Sequence, residues 1–401
     1  MGFTIVEGID KRKEYKWYFL QIVMIFFTVL LIFCAKNQFL PITNHYIVDA
    51  TYYENHVVEA IDRGELYNGF TTINKFLYTF GPQIFIFYNT LLLLSCIYLC
   101  ILFKVFSPKA VTWARAVIVF NPYFLISAIG PSKECNLTFF SLLSIYLFLK
   151  GSFFFRVMAF AVGCVVIFIR PQFGACLFAA YMVYLILFVI KKPMTVCLLM
   201  LGSFFFLNAI PAINKLISEN QGGDDLPYFA GSSIYQVALV LHAMGKNPIL
   251  QIPAFIAKMC LVMFTPIARP NPLISDHIPL LDWGYTFMAN VLFPLNFGFI
   301  LLFFNQQQTA FAKIGREGHF LIIYCFIGIL SVIISPSIQF RYLFPYIPVI
   351  AACFVLHNVK TRNRILIISF SLMIFIFIMT AIFLPKQFGA DGYVPLYLSW
   401  L

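Results

Sequence analysis

The sequence predicts an all-α fold, that of a polytopic integral membrane protein with about 11–13 transmembrane helices. The composition and the hydropathy both lead to this class. Of the 401 residues, 61% are hydrophobic and only 11% are charged, and the mean hydropathy is +0.89. A soluble domain of this length needs far more charge on its surface. The pattern therefore predicts one multi-pass membrane domain that covers residues 1–401.

Apolar runs of near-spanning length follow one another along the chain. They cover residues 17–36, 82–106, 110–129, 136–150, 153–169, 172–190, 194–213, 249–268, 286–304, 320–336, 342–357 and 364–384. Several are shorter than the ~20 residues that cross the hydrocarbon layer, which predicts helices that stop at polar pockets or enter the membrane only partly. We expect a re-entrant segment or a helical hairpin near 228–268, because one single span there would invert everything that follows.

The net charge of +11 comes from basic residues in short clusters between the apolar runs. Such clusters are typical of cytoplasmic loops, whereas a nucleic-acid-binding protein gathers its charge on one face. We therefore expect membrane lipids as partners and no nucleic acid. The predicted cytoplasmic clusters are Lys11–Lys16, Lys104 with Lys109, Lys150 with Arg156, Lys191 with Lys192, Lys313 with Arg316, and Lys360 with Arg362 and Arg364.

This alternation predicts a plasma membrane protein whose N-terminus is cytoplasmic. Its large outer regions are then residues 37–81, the first outer loop, and residues 214–285. The first outer loop contains the sequence HYIVDATYYENHVVEAIDRGE, in which TYYE has the form of a capping box and Arg63-Gly64 ends the helix. At helical spacing, Asp49, Tyr53 and His56 share one face. An interfacial helix with its tyrosines at headgroup level is the structural alternative.

Unexpected polar residues stand at the outward ends of several apolar runs. Charge at membrane depth costs ~2.5–3.5 kcal/mol even on the mildest scale, so it marks either a function or a pairing need. Each residue also has a structural alternative, such as a solvated turn or a snorkelling side chain. The outward candidates are Lys133, Glu134, Arg170, Gln172, Arg269, Asp276, His277, Arg341 and Tyr342.

Carboxylates and arginines at one rim of a helix bundle suit sugar transfer from a lipid phosphate. The acceptor hydroxyl needs a base, which a carboxylate supplies. The leaving phosphate gains negative charge, which arginine stabilises through two parallel hydrogen bonds. The polyprenyl tail needs a hydrophobic groove, and this chain carries 49 Phe residues.

The segment DATYYENHVVEAIDRGELYNG resembles the first outer loop of GT-C superfamily polytopic membrane glycosyltransferases, which use polyprenyl-linked sugar donors. NPYFLISAIGPSKE, IRPQFG and RYLFPYIPVI are similar to segments of bacterial membrane glycosyltransferases and of O-antigen or capsule repeat-unit polymerases. The resemblance implies that Asp49 is the catalytic base, with Glu54 the next acid, and that Arg170 and Arg341 bind lipid phosphate. The sequence departs from the family pattern in two ways. Many members carry paired acids in this loop, whereas Glu54 here follows two tyrosines. Many members also carry a soluble C-terminal domain, whereas this chain ends shortly after its last apolar run.

The leading expectation is a glycosyltransferase of cell-surface glycan assembly that acts at the periplasmic or extracellular face of a bacterial plasma membrane. Its partners are a polyprenyl-linked sugar donor and a glycan or lipid-linked acceptor. No cofactor is implied, and the requirement for a divalent metal stays open. The first alternative is a repeat-unit polymerase that uses polyprenyl-diphosphate-linked oligosaccharides. The second is a lipid-linked glycan transporter or flippase, for which Arg115 and Lys258 supply charge near the middle of apolar runs.

Overall fold

The computed structural model describes residues 11–36, 42–43, 69–81, 83–131, 133–189, 193–208, 241, 244, 250–264, 278–304, 314–334 and 340–383. These ranges are helical apart from turns and one two-residue parallel pair, β1 (Ile42–Thr43) with β2 (Ile278–Pro279). Within them, three helices are long and apolar enough to cross a membrane: Glu14–Cys34, Ile84–Val105 and Arg316–Ile333. The all-α prediction is confirmed for this part of the chain, and the apolar helices indicate membrane association.

The α-helices follow one another in chain order and are joined mostly by short connections. They are α1 (Lys11–Lys36), α2 (Gly69–Tyr78), α3 (Ile84–Leu99), α4 (Pro108–Val119), α5 (Pro122–Ser127), α6 (Lys133–Leu149), α7 (Phe153–Ile169), α8 (Pro171–Val189), α9 (Pro193–Asn208), α10 (Gln251–Phe264), α11 (Leu280–Phe304), α12 (Arg316–Ile334), α13 (Ile347–Cys353) and α14 (Val359–Phe383). Short 3₁₀ helices cover Cys100–Val105, Phe340–Leu343 and Phe354–Leu356.

The apolar run at 110–129 contains two helices rather than one. Helix α4 ends at Val119, and α5 begins after Asn121 with Pro122 at its first position. The Asn121 side-chain oxygen accepts hydrogen bonds from the backbone N–H groups of Tyr123 at 3.0 Å and Phe124 at 3.3 Å. This cap satisfies donors that a new helix start leaves open, so the chain can stop and restart a helix among buried residues.

Helices α6, α7 and α8 pack side by side, and a buried hydroxyl joins them. Helix α7 packs along both α6 and α8, and α12 packs along α8. The Ser144 hydroxyl of α6 donates to the Ala159 carbonyl of α7 at 2.6 Å. It also lies 2.5 Å from the Tyr181 hydroxyl of α8. Because the single Ser144 hydroxyl proton is donated to Ala159, the Tyr181 hydroxyl is the donor of the second bond. The Tyr181 ring stacks on Phe148, with the centroids 4.2 Å apart.

Glycines let the helices approach closely at two places. A Cβ on Gly174 of α8 would overlap the Ile167 side chain and lie 2.8 Å from the Cα of Ile167 in α7. A Cβ on Gly328 of α12 would overlap the buried ring of Tyr346. The Gly174 contact lies one turn beyond Arg170, so it fixes how α7 and α8 meet at that residue.

The outer surface of the helices is strongly apolar. Phe19, Phe26 and Phe33 on α1 are 70%, 64% and 57% exposed, and Phe370 on α14 is 64% exposed. Phe153 on α7 is 84% exposed. Contiguous apolar surface of this kind is rare on soluble monomers, and lipid contact explains it.

We expect Gly174→Ala to lower the melting temperature of the detergent-solubilised protein. The added methyl group meets the backbone of Ile167, which cannot move aside, and overpacking of this kind costs about 1–3 kcal/mol. Thermal unfolding of the purified full-length protein measures the effect.

Gly202→Ala in α9 is the matched control, because a Cβ there meets nothing within 4 Å. Alanine is better than glycine inside a helix by up to about 1 kcal/mol, so this variant should melt at or above the wild-type temperature. Equal melting temperatures for the two variants would show that α7 and α8 do not meet as closely as described.

Candidate functional site

Arg170 forms the whole connection between α7 and α8. Its backbone N–H donates to the Val166 carbonyl at 2.8 Å, and its own carbonyl accepts from the Phe173 N–H at 3.1 Å. Pro171 follows at the first position of α8. A proline disfavours helical backbone at the residue before it, and Arg170 is extended, with φ −158° and ψ 105°. The sequence therefore forces the chain to turn at this arginine, between the end of α7 and the start of α8.

The position of Lys133 depends on a buried asparagine of α3. The Asn89 side chain is 1% exposed, and its amide nitrogen lies 2.8 Å from the Gly130 carbonyl and 3.4 Å from the carbonyls of Ser127 and Ala128. These carbonyls belong to the end of α5 and the turn after it. Asn89 therefore holds the turn that precedes Lys133, the first residue of α6.

Lys133, Glu134, Arg170, Gln172 and Tyr342 gather at one end of the bundle, and we name this group the rim cluster. The Arg170 guanidinium carbon lies 4.1 Å from the centroid of the buried Tyr342 ring. Burial and the nearby Arg170 charge lower the pKa of Lys133, Glu134 opposes them, and the net value is about 8. Arg170 thus lies over an aromatic ring, and Lys133 lies near Arg170, where α6 and α8 begin and the helix dipoles also favour an anion.

The remaining polar contacts at this end involve the last turn of α12. The Gln172 side-chain nitrogen donates to the Ser331 carbonyl at 3.1 Å. The Lys258 ammonium of α10 is buried and donates to the Ile333 carbonyl at 3.0 Å. Carbonyls in a last helical turn lack intrahelical donors and carry partial negative charge, so both contacts stabilise this helix end.

The structure brings together five of the residues predicted from the sequence, the members of the rim cluster. The other predicted residues cannot be placed against it. Arg341 belongs to the same 3₁₀ turn as Tyr342, and only its backbone is described. The predicted loop helix and most of the 228–268 segment lie outside the described residues. The same holds for Asp49, Tyr53, Glu54, His56, Arg269, Asp276 and His277.

Sequence reasoning missed the two residues of α3 that support the rim. Besides Asn89, Tyr88 donates from its hydroxyl to the Asn136 side-chain oxygen at 2.5 Å, which ties α3 to the first turn of α6. A signal was present, because Asn89 interrupts the run IFIFYNTLLLL. A polar residue inside such a run is costly and needs a partner, so its bond to a turn could have been anticipated.

Comparisons of the chain with protein-family models, with curated proteins and with solved structures found no match. In the described ranges, no group of three or more His, Cys, Asp and Glu side chains could hold a metal ion. What the rim cluster can do is attract and orient an anion, since the planar Arg170 guanidinium suits two oxygens and Lys133 supplies a compact charge.

We expect the Lys133 amine to react with an acylating reagent with a midpoint near pH 8, and Arg170→Gln to raise that midpoint. Removing the guanidinium charge makes protonation of Lys133 easier. Glu134→Gln should have the opposite effect, because it removes a charge that favours the ammonium. Mass spectrometry of the Lys133 peptide from full-length protein, acylated over a pH series, gives the midpoint.

The same shift has a consequence for stability. The unfolded chain keeps this proton up to the ordinary lysine pKa of 10.5, whereas the folded chain releases it near pH 8. The contribution of Lys133 to the free energy of unfolding therefore rises with pH between these values. If neither Arg170→Gln nor Glu134→Gln shifts the Lys133 acylation midpoint, the charges of Arg170 and Glu134 do not lie near the Lys133 amine.

Proposed function

We propose that the chain is a polytopic membrane glycosyltransferase of cell-surface glycan assembly. It transfers a sugar from a polyprenyl-phosphate-linked donor to a glycan or lipid-linked acceptor. The observation that carries the proposal is the rim cluster, in which Arg170 lies over the Tyr342 ring and is close enough to Lys133 to lower the pKa of that amine. A leaving phosphate or diphosphate suits this arrangement, because its charge grows as the bond to the sugar breaks.

In the proposed reaction the acceptor hydroxyl oxygen attacks the anomeric carbon of the sugar. The bond between that carbon and the phosphate oxygen breaks, and its electron pair goes to the phosphate. Arg170, with Arg341 as a second arginine, stabilises the phosphate, and Lys133 adds a point charge. The hydroxyl proton goes to a carboxylate base, for which Asp49 is proposed on the resemblance of its loop.

Apolar surface beside the rim suits the polyprenyl tail of the donor. Phe168 stands two residues before Arg170 on α7 and is 67% exposed. Helix α2 packs against α7. Phe76 in this helix and Phe80 in the turn after it are both 64% exposed, and their ring centroids lie 5.4 Å apart. A donor whose phosphate meets Arg170 could therefore lay its first isoprene units against aromatic side chains.

A repeat-unit polymerase is the second candidate function, and the pairing of two cations favours it. Lys133 and Arg170 together carry two positive charges, which match the diphosphate of a lipid-linked oligosaccharide better than a single phosphate. A transporter has less support. The two buried cations expected to line its path are held by fixed partners, since Arg115 pairs with Glu14 and Lys258 binds the Ile333 carbonyl.

We expect deletion of the gene to change the surface glycan of the source cell. Loss of one sugar decoration means a monosaccharide transferase, whereas loss of long chains with single repeats retained means a polymerase. Complementation with Arg170→Lys should fail at normal expression, because lysine keeps the charge and loses the planar pair of donors. Glycan composition and chain length give the readout.

Two further variants complete this experiment. Asp49→Asn should also fail to complement, since asparagine caps a helix as well as aspartate and cannot accept the proton. Arg364→Lys is the matched control, because Arg364 is exposed in the first turns of α14, away from the rim, and should complement fully. Intact glycan in the deletion strain would refute both enzyme functions.

The proposed orientation places the rim cluster outside the cell and the N-terminus in the cytoplasm. In a variant that lacks the native cysteines, an impermeant thiol reagent should label Gln83→Cys in intact cells and leave Asn363→Cys unlabelled. Both side chains are exposed, and they stand before α3 and within the first turns of α14. The reverse pattern would place the proposed chemistry in the cytoplasm and contradict its extracellular location.

A further inference from the structure

A second polar site lies between α1, the 3₁₀ helix Cys100–Val105 and α4. It is a cavity of about 490 Å³. Its charged lining comprises Glu14, Lys16, Lys104 and Arg115, which are three cations and one carboxylate. A volume of this size is within the usual range for small-ligand sites, and the lining carries an excess of positive charge.

The cavity is far from the rim cluster. Helix α3 begins at the rim, where Asn89 binds the turn before Lys133. The chain then continues to Ile101 and Lys104, which line the cavity. Ten residues of α-helix and two of 3₁₀ helix separate Asn89 from Ile101, which is roughly 20 Å along the helix axis. The two sites therefore occupy different ends of the bundle.

Arg115 is a buried residue of the cavity lining that two contacts hold in place. It is 6% exposed, and its Nη2 group lies 2.9 Å from a carboxylate oxygen of Glu14. Its Nε–H donates to the Ile97 carbonyl at 3.0 Å. These contacts use two of the five N–H groups of the guanidinium and leave three, and the residue lines the cavity. A buried arginine held on two sides keeps its remaining donors in one direction, which favours recognition of oxygen atoms.

The two lysines supply the excess charge. Lys16 is exposed in the first turns of α1, and Lys104 is half-buried near the end of the 3₁₀ helix. Within the described residues neither makes an ion pair, whereas Arg115 is balanced by Glu14. Thr112 and Pro108 complete this side of the lining. Pro108 is the first residue of α4, and a helix N-terminus also favours an anion.

The rest of the lining is apolar and continues toward the membrane. Trp17, Leu20, Ile101 and Val111 line the cavity beside the charged groups. The candidate span of α1 begins at Glu14, so Lys16 and Trp17 stand in its first turn. Tryptophan and lysine at the start of a span are typical of the membrane interface. A ligand here would place an anionic group beside the lysines and an apolar chain along Trp17 and Leu20.

We propose that this cavity binds the phosphate group of an anionic phospholipid whose acyl chain follows α1. The site is separate from the proposed sugar-transfer site, and its occupation does not depend on the proposed function. A headgroup phosphate would accept hydrogen bonds from Arg115 and charge-assisted bonds from Lys16 and Lys104. Because the phosphate contacts join α1 to the connection after α3, bound lipid would stabilise the packing of α1 on the bundle.

The test is a native mass spectrometry titration of the full-length protein in a neutral detergent. The probes are dioleoyl-phosphatidylglycerol, dioleoyl-phosphatidylcholine and glycerol 3-phosphate. We expect one tight site for phosphatidylglycerol, and a loss of about tenfold or more in affinity for the double variant Lys16→Gln with Lys104→Gln. The matched control is Lys360→Gln with Arg364→Gln, which removes the same charge from exposed residues that do not line the cavity and should bind like wild type.

Three outcomes would overturn the proposal. Equal losses in the two double variants would mean diffuse attraction to basic loops. Equal binding of phosphatidylcholine would mean that the anionic headgroup is not recognised. Glycerol 3-phosphate binding as tightly as the lipid would mean a soluble phosphate ligand instead.

A second measurement keeps the test decisive if the lysine variant fails to fold. Phosphatidylglycerol with brominated acyl chains should quench part of the tryptophan fluorescence of the wild-type protein, because its chain would lie against Trp17. The Trp17→Phe variant should lose that quenched part and keep the signal of the other tryptophans, of which the chain has four in all. Unchanged quenching in Trp17→Phe would place the lipid elsewhere.

Discussion

Each helix that stops inside this apolar bundle leaves backbone groups that must find another partner. Water does not satisfy them there, so a polar side chain has to. Asn89 binds the carbonyls at the end of α5, Asn121 caps its start, and Gln172 with Lys258 binds the last carbonyls of α12. These four polar side chains therefore serve the ends of helices. A rim where several helices end collects such residues, and the candidate site forms at that rim.

Close packing of the helices fixes the positions of the polar residues at the rim. Gly174 lets α8 approach the backbone of Ile167, and one residue, Arg170, then makes the whole connection. On the other side, the Tyr346 ring lies against Gly328 of α12, four residues after Tyr342. Tyr342 belongs to the same short segment as this buried ring, and its own ring lies 4.1 Å from the Arg170 guanidinium carbon. An arginine oriented in this way loses less conformational entropy when it binds a phosphate than a free surface side chain would.

The parts of the fold that follow from local sequence could be predicted, and the long-range pairs could not. Helical class, the turn at Arg170 and the nearness of Lys133 to the rim follow from hydropathy, from the Arg-Pro pair and from short connections. The break at Asn121 was readable from Asn-Pro, yet the apolar run around it suggested continuity. The pairing of Glu14 with Arg115 joins residues 101 positions apart. No local pattern identifies such a partner, because packing of α1 on α4 decides it.

The burial of a cation distinguishes the basic residues that orient the chain in the membrane from those that could bind an anion. Lys360 and Arg364 are exposed, so their charge is solvated and orients the chain at little cost. Arg170 and Lys133 are half-buried, and the lowered pKa of Lys133 shows that burial penalises its charge. Glu134 offsets part of this penalty, and an anion bound near Arg170 and Lys133 would offset more of it. Arg115 at the other end is already offset by Glu14, so there it is the two lysines, not the arginine, that would draw an anion.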